Sequence, residues 1–167
     1  IAASILRAIA VCLMTAALHG CYIAAETFSA GFGENHAQHA DNLMKRGQYR
    51  EAINEYQQHL NSRLADRTRA PDENPHFYLV LIGDAYVKLN EPKAAKSAYE
   101  QALAHNVERE IISDRLRGLG RWYAERKAFD EAIQVLREHR ELDAIMFDYE
   151  IDRTHKLWVD HEENTQK

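Results

Sequence analysis

Gly47-Gln48-Tyr49-Arg50-Glu51-Ala52-Ile53 and Lys127-Ala128-Phe129-Asp130-Glu131-Ala132-Ile133 share the run aromatic, any residue, Glu, Ala, Ile. Asn90-Glu91-Pro92-Lys93-Ala94-Ala95-Lys96 is a weaker copy between them, and Tyr56, Tyr99 and Leu136 follow at one common offset. Recurrence of this kind marks an array of small helical units that bury their apolar faces by stacking. Each copy reads as the start of a helix that turns one face inward.

A second stripe precedes each copy. Leu79, Ile82, Gly83 and Tyr86 recur as Leu116, Leu119, Gly120 and Tyr123, and spacings of three and four place them on one helix face. Together the stripes resemble the tetratricopeptide repeat, a pair of antiparallel helices about 34 residues long. The resemblance implies an all-α fold: about three helix-turn-helix repeats in a short right-handed superhelix, with a C-terminal capping helix and an N-terminal hydrophobic helix. It also implies close helix contact at Ala40, Gly83 and Gly120 on the first helices and at Ala52, Ala95, Ala102 and Ala132 on the second.

The expected organisation is a hydrophobic signal or anchor over 1–25, a tether over 26–34, repeats over 35–66, 75–107 and 110–142, and a capping helix with a frayed tail over 143–167. The copies are 43 and 37 residues apart. The first excess is expected in the charged, two-proline stretch from Ala65 to Pro75, and the second around Asn106 to Ile111. His59 and His139 stand where the family usually has Ala, and His36 and His39 replace large apolar residues. Past Leu142, Trp158 is expected to staple a terminal helix, since an array needs an end with a polar outer face, and residues from Glu162 onward are expected to fray.

The 167-residue chain is 46% hydrophobic and 28% charged, with three prolines and seven glycines, a composition that excludes disorder and collagen. With 26 acids against 21 bases, it has no electrostatic drive toward nucleic acid. Its apolar residues are unevenly placed. Arg7 is the only charge before Glu26, and an apolar run from Ala8 to Leu18 leads into Leu18-His19-Gly20-Cys21. The charged start and apolar centre match an export signal, and the final four residues resemble the bacterial lipoprotein box, which implies cleavage after Gly20 and lipid on Cys21. A retained membrane helix and a cleaved signal are the alternatives. Both cysteines, Cys12 and Cys21, lie in this segment, so the remainder holds no internal disulfide.

No nucleophile elbow, phosphate loop, dinucleotide turn, His-Glu-x-x-His or Cys-x-x-Cys occurs, and the expectation is a protein that is not an enzyme and needs no cofactor or metal. The competing reading is a small metal-binding or enzymatic accessory protein that uses His36, His39 and Asp41, which share a helical face.

In tetratricopeptide arrays the first helices line a groove that takes peptides or partner helices. Carrying those positions over gives Asp41, Met44, Lys45, Phe77, Val80, Asp84, Val87, Lys88, Arg117 and Arg121: an acidic end, an apolar centre and a basic end formed by the two arginines. Chaperone-binding members hold a terminal carboxylate here with Lys, Asn and Arg, and Asp41 and Asp84 argue against such a clamp. The expectation is a membrane-tethered scaffold or accessory subunit of a bacterial membrane complex, facing the periplasm, that docks a segment of a membrane partner with its acidic end toward Arg117 and Arg121.

Overall fold

A computed structural model describes residues 35–166, so the expected anchor, the tether and Cys21 lie outside the described residues. Seven α-helices and no strand occur among those described: α1 (His36–Lys45), α2 (Tyr49–Ala65), α3 (Tyr78–Lys88), α4 (Pro92–Ala104), α5 (Arg109–Glu125), α6 (Phe129–Glu138) and α7 (Ala144–Thr165). Short 3-10 turns span Pro75–Phe77 and Arg140–Leu142. Helices pack in sequential pairs, α1 on α2, α3 on α4 and α5 on α6, and α7 covers both α6 and α5.

The first residue of each sequence copy is the turn of its pair. Gly47, Asn90 and Lys127 all have left-handed backbones, with φ of 77°, 57° and 63°, and each ends its helix in the same way. The amides of Gln48, Glu91 and Ala128 reach back five residues to the carbonyls of Leu43, Tyr86 and Tyr123 at 2.9, 2.9 and 3.0 Å. This closure satisfies carbonyls that the end of a helix otherwise leaves open. Only Gly47 adopts that backbone without a Cβ penalty.

Beyond the turn the helices approach closely where small residues allow it. A Cβ on Gly83 would lie 2.7 Å from Cδ1 and 2.9 Å from Cζ of Tyr99, and one on Gly120 would lie 2.7 Å from Cγ of Leu136. Ala40, Ala52, Ala95, Ala102 and Ala132 are all fully buried. The tight joints expected from the small-residue positions are therefore the packing surfaces of the helix pairs.

The extra residues lie partly elsewhere than expected. Some lengthen α2, which runs 17 residues to Ala65 against 10 for α6, and the second excess lengthens α5, which begins at Arg109. The segment after α2 is ordered by charge. Arg63 grips Glu73 with two hydrogen bonds of 2.8 and 2.5 Å and Asp66 with one of 2.7 Å. The Asn74 amide then donates to the His105 carbonyl at 2.9 Å, and His76 stacks on His105 with ring centroids 3.8 Å apart.

Two histidines around this segment titrate low. Burial holds His59 below its ordinary range, with Arg63 and His36 adding to it, and burial followed by the His105 and Arg69 charges does the same for His76. The unfolded chain therefore binds these protons more readily than the folded one, so their contribution is intact above about pH 6.5 and is lost as pH falls below it. The urea midpoint should drop between pH 7.5 and 5.5, with a shallower drop in His76→Gln.

The final helix is one continuous element. The Asp143 side chain caps it by accepting from the Met146 amide at 3.1 Å, and Phe147, Glu150, Ile151 and Thr154 form its buried face. Trp158 stacks on Phe129 with centroids 5.9 Å apart, the expected staple. The helix runs past Glu162 to Thr165, with Trp158 donating to Glu162 at 2.9 Å and Thr165 donating to the His161 and Glu162 carbonyls.

Candidate functional site

Asp41, Asp84 and Arg121 each stand six residues before a turn residue, so the repeat places them at equivalent points on α1, α3 and α5. In the first two pairs the aspartate accepts a hydrogen bond from the tyrosine of the facing helix: Tyr56 to Asp41 at 2.5 Å and Tyr99 to Asp84 at 2.8 Å. Burial and then the aspartate push both phenols above their ordinary range, although for Tyr99 the charge of Asp84 outranks its hydrogen bond. In the third pair Leu136 replaces the tyrosine and has no hydroxyl to offer. Arg121 turns instead to Glu150 of α7 at 2.7 Å.

Between α1, α3 and α5 lies a cleft of about 430 Å³. Met44 comes from α1, Asp84, Val87 and Lys88 from α3, and Arg115, Leu119, Arg121 and Trp122 from α5, with Tyr99 of α4 behind them. The apolar share of its wall is Met44, Val87, Leu119 and Trp122. Arg126 lies over the Trp122 ring at 3.8 Å from its centroid, and an Arg–Trp contact of this kind fixes the indole plane. Arg115 binds Asp84 at 2.9 Å and Asp114 at 3.3 Å. Burial works against the Arg115 charge, but Asp84 outweighs it and keeps the guanidinium above its ordinary value.

Five of the residues selected from the sequence, Met44, Asp84, Val87, Lys88 and Arg121, thus meet in one cleft. The others stand apart from it. Val80 is fully buried in the core and cannot meet a partner, because it stands on the inward side of α3 between Leu79 and Ile82. Phe77 is 40% exposed but ends the 3-10 turn before α3 and packs edge-on against Tyr78. Asp41 and Lys45 are exposed on α1, outside the lining of the cleft.

The expected free basic end is also corrected. Arg121 is taken by Glu150, and the side chain of Arg117 is only 14% exposed and faces Asp114 at 3.5 Å. Lys88 is exposed and makes no ion pair among the described residues. Lys45, the equivalent residue on α1, is likewise exposed and free of ion pairs. Arg115 and Trp122 were not selected from the sequence, although Trp122 adjoins the recognised Tyr123 and its size alone could have drawn attention.

The His36, His39 and Asp41 reading fails on geometry. His36 and His39 both turn to Glu55 on α2, at 2.6 and 3.7 Å, whereas Asp41 turns to Tyr56. No group of three or more His, Cys, Asp or Glu residues poised to hold a metal occurs among the described residues.

No curated protein matches the chain. Among solved structures it is similar to the second TPR domain of human RPAP3, determined by NMR in complex with the HSP70 peptide SGPTIEEVD, at 16% identity over 72% of this chain and 92% of that one, with a TM-score of 0.47. It is also similar to the Sgt2 TPR domain from Aspergillus fumigatus, at 18% identity over 79% and 80% with a TM-score of 0.47, and to MamA, at 18% identity over 78% of each chain with a TM-score of 0.43. The family model described as tetratricopeptide repeat matches residues 80–144, the stretch from α3 into the start of α7.

Proposed function

We propose that the chain is a membrane-tethered, non-catalytic scaffold or accessory subunit of a bacterial membrane complex, and that it docks an acidic, partly apolar segment of a partner in the cleft between α1, α3 and α5. The cleft carries this reading. Its wall offers apolar purchase from Met44, Val87 and Trp122 beside a cation, Lys88, that nothing in the described chain neutralises. A partner carboxylate meets Lys88 while a neighbouring apolar side chain sits against Met44 and Val87, the mixture of apolar anchor and charge registration common in partner recognition. The partner's acidic end points toward Lys88 and Lys45, opposite to the polarity suggested by Arg117 and Arg121 in the sequence.

The tether rests on the N-terminal pattern alone. An apolar run and Cys21 support an anchor that holds the cleft near the bilayer on the periplasmic side and raises its effective concentration for a partner in the same membrane without any further contact. No helix among the described residues is long and apolar enough to cross a membrane.

The test is co-purification from detergent-extracted membranes. Lys88→Glu should lower recovery of the bound partner about tenfold, a loss of about 1.4 kcal/mol, and Phe77→Ser, away from the cleft, should leave it unchanged. Equal recovery with Lys88→Glu would remove the cleft from the reading. Intact mass measured on the same sample reports the anchor: a chain that begins at Cys21 with added acyl mass supports lipid attachment, and an unmodified chain lacking residues 1–20 refutes the tether.

A further inference from the structure

The buried face of α7 accounts for Phe147, Glu150, Ile151 and Thr154, and the opposite face carries large apolar residues in water. Ile145 is 82% exposed, Tyr149 62% and Val159 53%. They belong to a stripe, Ile145, Tyr149, Asp152, Lys156, Val159 and Glu163, whose steps alternate four and three residues. That alternation is the spacing of the seam positions of a two-helix coiled coil; here three of the six are apolar and three charged, and α7 presents them without a partner helix in the described chain.

The order of residues along the stripe identifies the missing helix. Laid antiparallel on a second α7, with a two-fold axis level with residue 154 near the middle of this 22-residue helix, the seam pairs Tyr149 with Val159 of the second copy. Asp152 then meets Lys156 of the second copy, and Ile145 meets the aliphatic stem of Glu163. The two-fold repeats each pairing, as a closed isologous interface requires. A parallel pair would instead set Asp152 against Asp152, Lys156 against Lys156 and Glu163 against Glu163. Asp152 and Lys156 form no ion pair among the described residues. Two of the flanking charges are already engaged, Asp148 with Arg140 at 2.6 Å and Arg153 with Glu150 at 3.4 Å. We propose that the exposed face of α7 is a homodimer seam and that a second copy of this chain docks on it antiparallel.

A charge swap tests the seam. In the full chain in detergent, the mass measured by sedimentation should rise with concentration toward that of a dimer. Asp152→Lys and Lys156→Asp should each weaken the association at least tenfold by facing like charges, and the double variant D152K/K156D should restore it. Both positions are exposed, so at concentrations low enough to keep all four proteins monomeric their thermal midpoints should agree. A parent that stays monomeric at every concentration overturns the proposal and leaves the face to a helix of another protein. A dimer that neither single substitution weakens also overturns it, because its interface then lies elsewhere.

Discussion

Replacing Gly83 with Val should lower stability by about 3 kcal/mol, the upper end of the usual cost of overpacking, and the thermal midpoint by about 10 °C. The reason lies in the α3–α4 joint. Even one added carbon would fall within 3 Å of the Tyr99 ring, and that ring has little room to retreat, being 1% exposed with its hydroxyl tied to Asp84. Asp84 is in turn held by Arg115 of the next pair. A larger residue must therefore either part α3 from α4 or break a hydrogen-bonded chain that runs from α4 through α3 to α5. The first pair shows what a single methyl requires, because Ala40 and Tyr56 stand at the equivalent positions and both are buried. Gly83→Ala should accordingly cost only about 1 kcal/mol, the steric penalty being partly offset by the better helix propensity of Ala. Thermal unfolding of both variants checks the order, and a Val variant as stable as the parent would mean that the joint is looser than its distances imply.

The same joint shows what could be read from the amino-acid order. Small residues facing large ones recur at fixed offsets, so the helix pairs, their tight contacts at Gly83 and Gly120 and the turn positions at Gly47, Asn90 and Lys127 all leave a local periodic trace. The groove was half legible. Met44, Val87 and Lys88 line the cleft as repeat position predicts, but Val80, chosen by the same rule, is buried, because a residue's place in the stripe does not say which of two neighbouring helices covers it. The fate of a charge was the least legible feature. Asp84 and Arg115 are 31 residues apart, and Arg121 and Glu150 are 29 apart. No local pattern reports such pairings, so Arg121, which reads as part of a free basic surface, is consumed by the fold, whereas Arg117 meets Asp114 only three residues away. The departure of repeat three from the others, Leu136 in place of a tyrosine, is the one hint that Arg121 would look elsewhere for its partner.

That substitution makes Arg121→Glu the more damaging change of the two arginines. The Glu150 side chain is 6% exposed, and Arg121 is its closest cation; Arg153, at 3.4 Å, is half in solvent. Reversing Arg121 sets two carboxylates face to face beneath α7, and breaking a buried pair from one side costs about 3–5 kcal/mol. The loss should fall on α7 first. It is the terminal element, attached through Phe147, Ile151 and Trp158, and in a linear array each element is held only by its neighbours. Amide exchange over 147–158 should accelerate well before exchange in α3 and α4 does. Replacing both partners, as in Arg121→Met with Glu150→Leu, should recover most of the stability, since an apolar pair of similar volume leaves no buried charge behind, and a double-mutant cycle would give the coupling directly. If Arg121→Glu instead left exchange in α7 unchanged, the pair would be incidental and α7 would be held by its apolar face alone. The outcome also decides how the cleft can be probed. A partner lost with Arg121→Glu would report the detachment of α7 as readily as a lost contact, whereas Lys88, free of any ion pair among the described residues, can be reversed without disturbing the helices around it.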